Sequence, residues 1–382
     1  MPGTQQEKKV EYLELIYDLI FVYIIGRNNS LLEHVENGFI PGSVFLAYIL
    51  CTLAVIQIWN YSTFYINVYG RNDLRDHVFL CVNMYLLYFM ADGTNVHWEK
   101  TFYKYSIAWA LILANIGLQY LIELRYHKNA PWELQLLKGK ALIILGEAAL
   151  VALHIFLYAA TGTSAAWLPI LFGILAMLVF GRRNTLVPVD FNHLTERAML
   201  YVVFTFGEMI IAISSYFGEE VTANNLYFAT MAFLIVVGLF LSYGMLYNSI
   251  IDRDIVTNGV SYMVIHIFLL FGLNNISTAL EFMRDPSISL LPKTVFLITS
   301  FIIYFVFLFL TGLYAKEHCR FGRHFVPLIA FAAVSFFALM FLLREWMYAN
   351  IAVSVAYVFG IFLLIYRQSL LPEDPEDPKD PE

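Results

Sequence analysis

The chain has 382 residues, 60% of them hydrophobic, 17% aromatic and 14% charged, with a formal net charge of −7. Soluble domains run near 25% charged, so this chain has too few ionisable groups to coat a water-exposed surface, and lipid must solvate much of it. That excludes an ordinary soluble enzyme or a nucleic-acid binder, and no phosphate loop, H-E-x-x-H, nucleophile elbow or basic patch occurs. Cys51, Cys81 and Cys319 have neither metal nor redox spacing; no disulfide framework, metal or cofactor is expected.

The polar N-terminus MPGTQQEKK leads into the first apolar run without a small-residue cleavage site, so that run is expected to act as the insertion signal. A span needs about 20 apolar residues. Apolar runs set against turn residues predict about 12 of them, at 10–35, 42–69, 74–92, 101–124, 132–159, 164–181, 192–217, 224–250, 258–283, 290–315, 323–345 and 347–367. The final stretch, PEDPEDPKDPE, cannot bury a core and reads as a disordered cytoplasmic tail over 369–382.

With the N-terminus inside, the loops place Lys8, Lys9, Arg71, Arg75, Arg125, Lys128, Arg182, Arg183, Arg253, Lys316, Arg320, Arg323 and Arg367 on the cytoplasmic side. Only Lys100, Lys104, Arg284, Lys293 and Arg344 fall outside. By the positive-inside rule this asymmetry puts both termini in the cytoplasm. A weak internal repeat accompanies it. Glu14 precedes Asp73 by 59 residues and Glu196 precedes Asp254 by 58, as a duplicated six-span unit would give. The expected architecture is an all-α polytopic transmembrane helix bundle with a candidate 6+6 parallel repeat, its halves at 1–184 and 185–368.

Charges inside spans carry the functional reading, because each costs roughly 2.5–3.5 kcal/mol at the bilayer centre even on lenient scales. In span one Glu11, Glu14 and Asp18 share a stripe, Glu14 and Asp18 being about 40° apart in projection. Lys138 or Lys140 is an expected partner for Glu14. Span seven carries His193, Glu196, Arg197 and Glu208. Arg197 and Glu208 lie on one stripe but about 16 Å apart, so each needs a partner elsewhere, and Asp18 is the natural one for Arg197. His193 is expected to make a structural hydrogen bond at the cytoplasmic end. Gly146-Glu147 in span five repeats the pattern of Gly207-Glu208. An apolar surround favours the uncharged form of a carboxyl, so both are candidates for exchanging a proton or cation, and the preceding glycines are expected to give room to a neighbour. His154, Asn83, Asn115, Gln119, His266, Asn274 and Asn275 read as interhelical hydrogen bonds.

Two of these stretches also carry a resemblance. Glu14-Leu15-Ile16-Tyr17-Asp18-Leu19-Ile20-Phe21-Val22 resembles the opening signature of the bacterial low temperature requirement A (LtrA) membrane proteins. His193-Leu194-Thr195-Glu196-Arg197, followed by Gly207-Glu208-Met209-Ile210-Ile211, is similar to that family's second conserved segment, with Phe206 where leucine is usual. Trp59, Tyr65, Asp73 and Arg75 resemble its second-to-third-span region. The resemblance implies a polytopic bacterial plasma-membrane protein; the family's name records a growth phenotype rather than an activity.

The expected function is proton- or cation-coupled secondary transport of a small solute, with a site near the midplane between the halves. Glu14, Asp18, Glu147, His193, Glu196, Arg197 and Glu208 are its binding or coupling residues. The alternatives are a proton channel, or an intramembrane lipid-handling enzyme using acids at the cytoplasmic interface. Expected partners are membrane lipids and the solute or ion, with no nucleic acid. No catalytic residue is assigned.

Overall fold

Lipid offers no hydrogen bonds to a backbone, so a chain this apolar must close its amide groups within helices. The computed structural model describes residues 9–94, 98–127, 131–183, 189–214, 216 and 222–371. Among them are twelve α-helices and no strand. They are α1 (Tyr12–Asn29), α2 (Gly42–Tyr69), α3 (Leu74–Asp92), α4 (Trp98–Glu123), α5 (Pro131–Thr161), α6 (Trp167–Arg183), α7 (Phe191–Ser214), α8 (Ala223–Met245), α9 (Val260–Arg284), α10 (Leu290–Leu310), α11 (Phe325–Leu342) and α12 (Met347–Ser369). Residues 372–382 of the expected tail lie outside the described residues.

Each expected apolar run holds one helix, but nine of the described helices, rather than about twelve, are long and apolar enough to cross a membrane: α2, α4, α5 and α7 through α12. The other three fall short for visible reasons. In 18 residues α1 carries Glu14, Asp18 and Arg27, while α3 opens on Arg75 and Asp76. The 17 residues of α6 reach only about 26 Å.

The helix ends follow local chemistry. Asp73 caps α3 by accepting from the Asp76 amide at 2.9 Å, and Thr222 caps α8 through the Asn225 amide at 3.1 Å. Pro131 opens α5, where its missing N–H costs nothing.

Packing divides the chain into two compact units. Unit 1 comprises Met1–Thr205 with Asp254–Phe271, and unit 2 comprises Phe206–Arg253 with Gly272–Glu382. In unit 1, α1 and α2 run antiparallel, as the pairs Asn28–Thr52 and Tyr17–Ser62 show. Asn115 on α4 donates to Asn83 on α3, which donates to Tyr17 on α1, which bonds Ser62 on α2. This thread crosses four helices and gives Asn83 and Asn115 the interhelical role expected of them. His266 bonds the Tyr262 carbonyl one turn back in its own helix at 2.9 Å. The α2 and α5 helices are also antiparallel, since Phe64 meets Lys140 while Tyr61 and Gln57 meet Glu147.

In unit 2, α8 and α12 run parallel, from Tyr227–Tyr348 at one end to Met245–Ser369 at the other. Tyr304 of α10 donates to the Leu239 carbonyl at 2.9 Å, and Phe336 stacks on Tyr357 at 4.1 Å. Gly272 lets α9 approach α10 so closely that a Cβ there would strike the Tyr304 backbone. Only 11% of the apolar stretch of α11 is buried, leaving nearly all of it for lipid.

Candidate functional site

The amino-terminal half of α1 lies beside the start of α7, the two running in the same direction. Residues 14, 18 and 21 therefore meet 193, 197 and 201 in register. A step of three or four residues advances about one turn, so the two helices keep the same faces towards each other. Arg197 Nη2 donates to Asp18 Oδ1 at 2.5 Å, and Arg197 Nη1 stands 3.3 Å from Glu14 Oε2. The expected Asp18–Arg197 pair therefore forms, with both side chains fully buried. The ion pairs that Glu14 makes are to Arg197 and His193, not to the lysines of α5 expected from the sequence. Lys138 is exposed, and Lys140 is buried over the Phe64 ring.

The α2 helix closes the third side of this cluster. Trp59 Nε1 donates to Asp18 Oδ1 at 2.8 Å, and the Trp59 and Tyr201 rings pack at 4.6 Å. Asn67 donates to His193 Nδ1 at 3.0 Å and to the Asp190 carbonyl at 2.8 Å. With Nδ1 accepting, the proton of neutral His193 sits on Nε2, which faces Glu14 Oε2 at 3.6 Å. Asp190 caps α7 by accepting from the His193 amide at 3.0 Å. Asp18 is thus held by two strong donors, whereas Glu14 lies between a guanidinium and an imidazole. Two carboxylates share one permanent cation, with the His193 imidazole beside Glu14.

A second cluster joins α5 and α2. Glu147 is fully buried; Tyr61 donates to its Oε2 at 2.5 Å and Gln57 at 3.1 Å, while Gln57 also donates to the Tyr61 hydroxyl at 2.7 Å. The other carboxylate oxygen, Oε1, and Gln57 Oε1 are buried with no hydrogen-bond partner among the described residues. Gly173 of α6 backs the cluster, and a Cβ there would collide with Gln57, Glu147 and Tyr61. The glycines preceding the glutamates are less confined than Gly173. A Cβ on Gly146 would make ordinary contact with Phe172, and one on Gly207 would meet open space.

The remaining expected residues contribute no hydrogen bond or ion pair to these clusters. Glu196 is half-buried and, among the described residues, has no hydrogen-bond or ion-pair partner. Glu208 belongs to unit 2, is also half-buried, and has no such partner either.

Sequence reasoning missed Gln57, Tyr61 and Asn67, because a polar side chain on α2 shows no partner until the helices pack. It also missed an ion network at the cytoplasmic-side loops of the expected topology. There the buried Glu123 binds Arg71, Arg75 Nη1 at 2.8 Å and His127 Nε2 at 3.2 Å. His127 Nδ1 meets Glu133 Oε2 at 2.5 Å. The i,i+4 spacing of Glu123 and His127 was the available signal.

These features can be set beside known proteins. The family model described as "Bacterial low temperature requirement A protein (LtrA)" matches residues 9–359. No curated protein matches the chain.

Proposed function

The chain belongs to the LtrA family, and on that footing we propose that it is a proton- or cation-coupled secondary transporter of a small solute in a bacterial plasma membrane. Both termini lie on the cytoplasmic side in this reading, and the 6+6 repeat relates halves at 1–184 and 185–368. The observation that carries it is the buried Glu14–Asp18–Arg197–His193 cluster. Charged groups are costly inside a membrane protein and are kept where ions or substrates pass. Here the acids outnumber the permanent cation, so binding or losing one positive charge changes how Arg197 divides itself between Glu14 and Asp18. Such a two-state element is what coupling requires.

Thermal-shift screening of the purified full chain against a solute panel, at a mildly acidic and a mildly alkaline pH, tests the reading. A solute whose stabilisation depends on pH in the wild type and not in Glu14→Gln is the expected result. Stabilisation identical at both pH values in both proteins removes the coupling. A proton channel is the second reading, favoured by the row of polar side chains along α5.

A further inference from the structure

Four ionisable residues of α5 recur every seven positions: Glu133, Lys140, Glu147 and His154. Seven residues advance a helix about 10.5 Å and turn it back by only about 20°, so the four form one stripe. From end to end it is about 32 Å long, close to the roughly 30 Å of a hydrocarbon core. The facing helix repeats the period in reverse. On α2, Phe64 lies under Lys140 at 4.8 Å, Gln57 bonds Glu147, and Leu50 lines a cavity together with His154. Positions 64 and 57 thus oppose 140 and 147 in antiparallel order, and Leu50 and His154 share the cavity beyond them.

The interior rungs are buried and lack counter-charges. Lys140 is 3% exposed and Glu147 fully buried, and among the described residues neither has an ion pair. Three helices bring residues to this face of α5. From α2 come Tyr61 and Gln57, both on Glu147, and the Phe64 ring. The α4 helix brings the Phe102 ring against His154, its ionisable Lys104 being paired with Asp92 and its Glu123 with the arginines. The α6 helix presents Gly173, and its Arg182 and Arg183 are exposed at the helix end.

A histidine stands at each end of the stripe. At one end, the two ring nitrogens of His127 face the carboxylates of Glu123 and Glu133. A neutral imidazole has one N–H, so two such hydrogen bonds need an additional proton on the ring or on an acid. His127 is 25% exposed there and also meets the Tyr69 ring. At the other end, His154 Nδ1 accepts from the Ala165 amide at 3.0 Å, which places its proton on Nε2. His154 lines a cavity of about 630 Å³ that reaches exposed residues including Lys100 and Gly162.

We infer that the α2–α5 seam of unit 1 is a proton path, running from the His154 cavity through Glu147 and Lys140 to the Glu133–His127 pair. This deepens the transport reading by naming its coupling ion and route, and it rests on that reading for the coupling to solute. Rungs about 10.5 Å apart exceed one hydrogen bond, so the proton crosses between them through intervening water. The path is separate from the Asp18–Arg197 pair, whose two members hold each other.

Liposomes containing the full-length chain and an internal pH dye, driven by a potassium diffusion potential with valinomycin, test the path. The wild type should take up protons well above protein-free vesicles. Glu147→Gln and Lys140→Met should each slow uptake at least tenfold, and Lys138→Gln, exposed and off the stripe, should leave it unchanged. Variants are compared only when they elute as the wild type does, and His154→Gln replaces either that does not. Wild-type uptake no faster than empty vesicles overturns the path and leaves solute transport standing. Uptake that survives both substitutions overturns the α5 route. Uptake lost in both, with no pH-dependent solute binding by the wild type, keeps the path and removes the coupled-transport reading.

Discussion

The buried charges of unit 1 differ in how firmly each is held. Arg197 neutralises both Glu14 and Asp18, so removing it leaves two facing carboxylates without their cation. Breaking a buried pair in this way costs about 3–5 kcal/mol. Arg197→Gln is therefore expected to lower the thermal midpoint of the purified protein strongly, and Asp18→Asn less, since Trp59 and Arg197 still find an acceptor there. The double variant should recover part of the loss; strictly additive losses would mean the pair is not energetically coupled. Glu208 is a different case, half-buried with no hydrogen-bond partner among the described residues. Glutamine keeps its shape but cannot exchange a proton. Glu208→Gln is expected to fold and express as the wild type does while losing the pH dependence of solute binding. Retained pH dependence would take Glu208 out of the coupling set.

Among the helices, α6 controls the environment of Glu147 without contributing a polar side chain. Its Gly173 lies where Gln57, Glu147 and Tyr61 converge, so Gly173→Ala forces all three polar groups to move. Overpacking of this kind costs about 1–3 kcal/mol. It is expected to lower the thermal midpoint and to slow proton uptake. Gly146→Ala, one residue before Glu147, adds a methyl at ordinary contact distance from Phe172 and should be tolerated. Equal behaviour of the two variants would mean that α6 can shift, and that the cluster is less confined than its geometry implies.

For the molecule as a whole, the direction of insertion follows from the Lys and Arg asymmetry of the loops. Cys51 and Cys319 are buried, while Cys81 is exposed on α3 and must first be replaced. In that background Thr163→Cys, in the exposed α5–α6 turn, is expected to react with a membrane-impermeant thiol reagent on intact cells. Asn72→Cys, in the α2–α3 turn, should react only after permeabilisation. The reverse pattern refutes the orientation.

Much of this protein was legible before any helix was packed. Hydropathy and turn residues are read over windows of about 20 residues, and they placed both ends of nine helices within three residues, overrunning the ends of α1, α8 and α10 by five or six. Of the twelve expected spans, nine have the length and apolar content to cross a membrane among the described residues, and α1, α3 and α6 are too charged or too short to qualify by composition alone. One long-range contact could also be anticipated. Asp18 and Arg197 sit at matching depths in helices that start on the same side, and each needs an opposite charge. Even the α5 stripe was present as a spacing of seven.

Only the tertiary structure decided which groups those charges meet. Glu14 turned to Arg197 and His193 instead of an α5 lysine. Glu147 took Tyr61 and Gln57, and the glycine that confines it came from α6 rather than from its own helix. The physical reason is one of range. The helical period and the preference for lipid act along the chain, whereas a hydrogen-bond partner depends on which helix packs alongside and in what register.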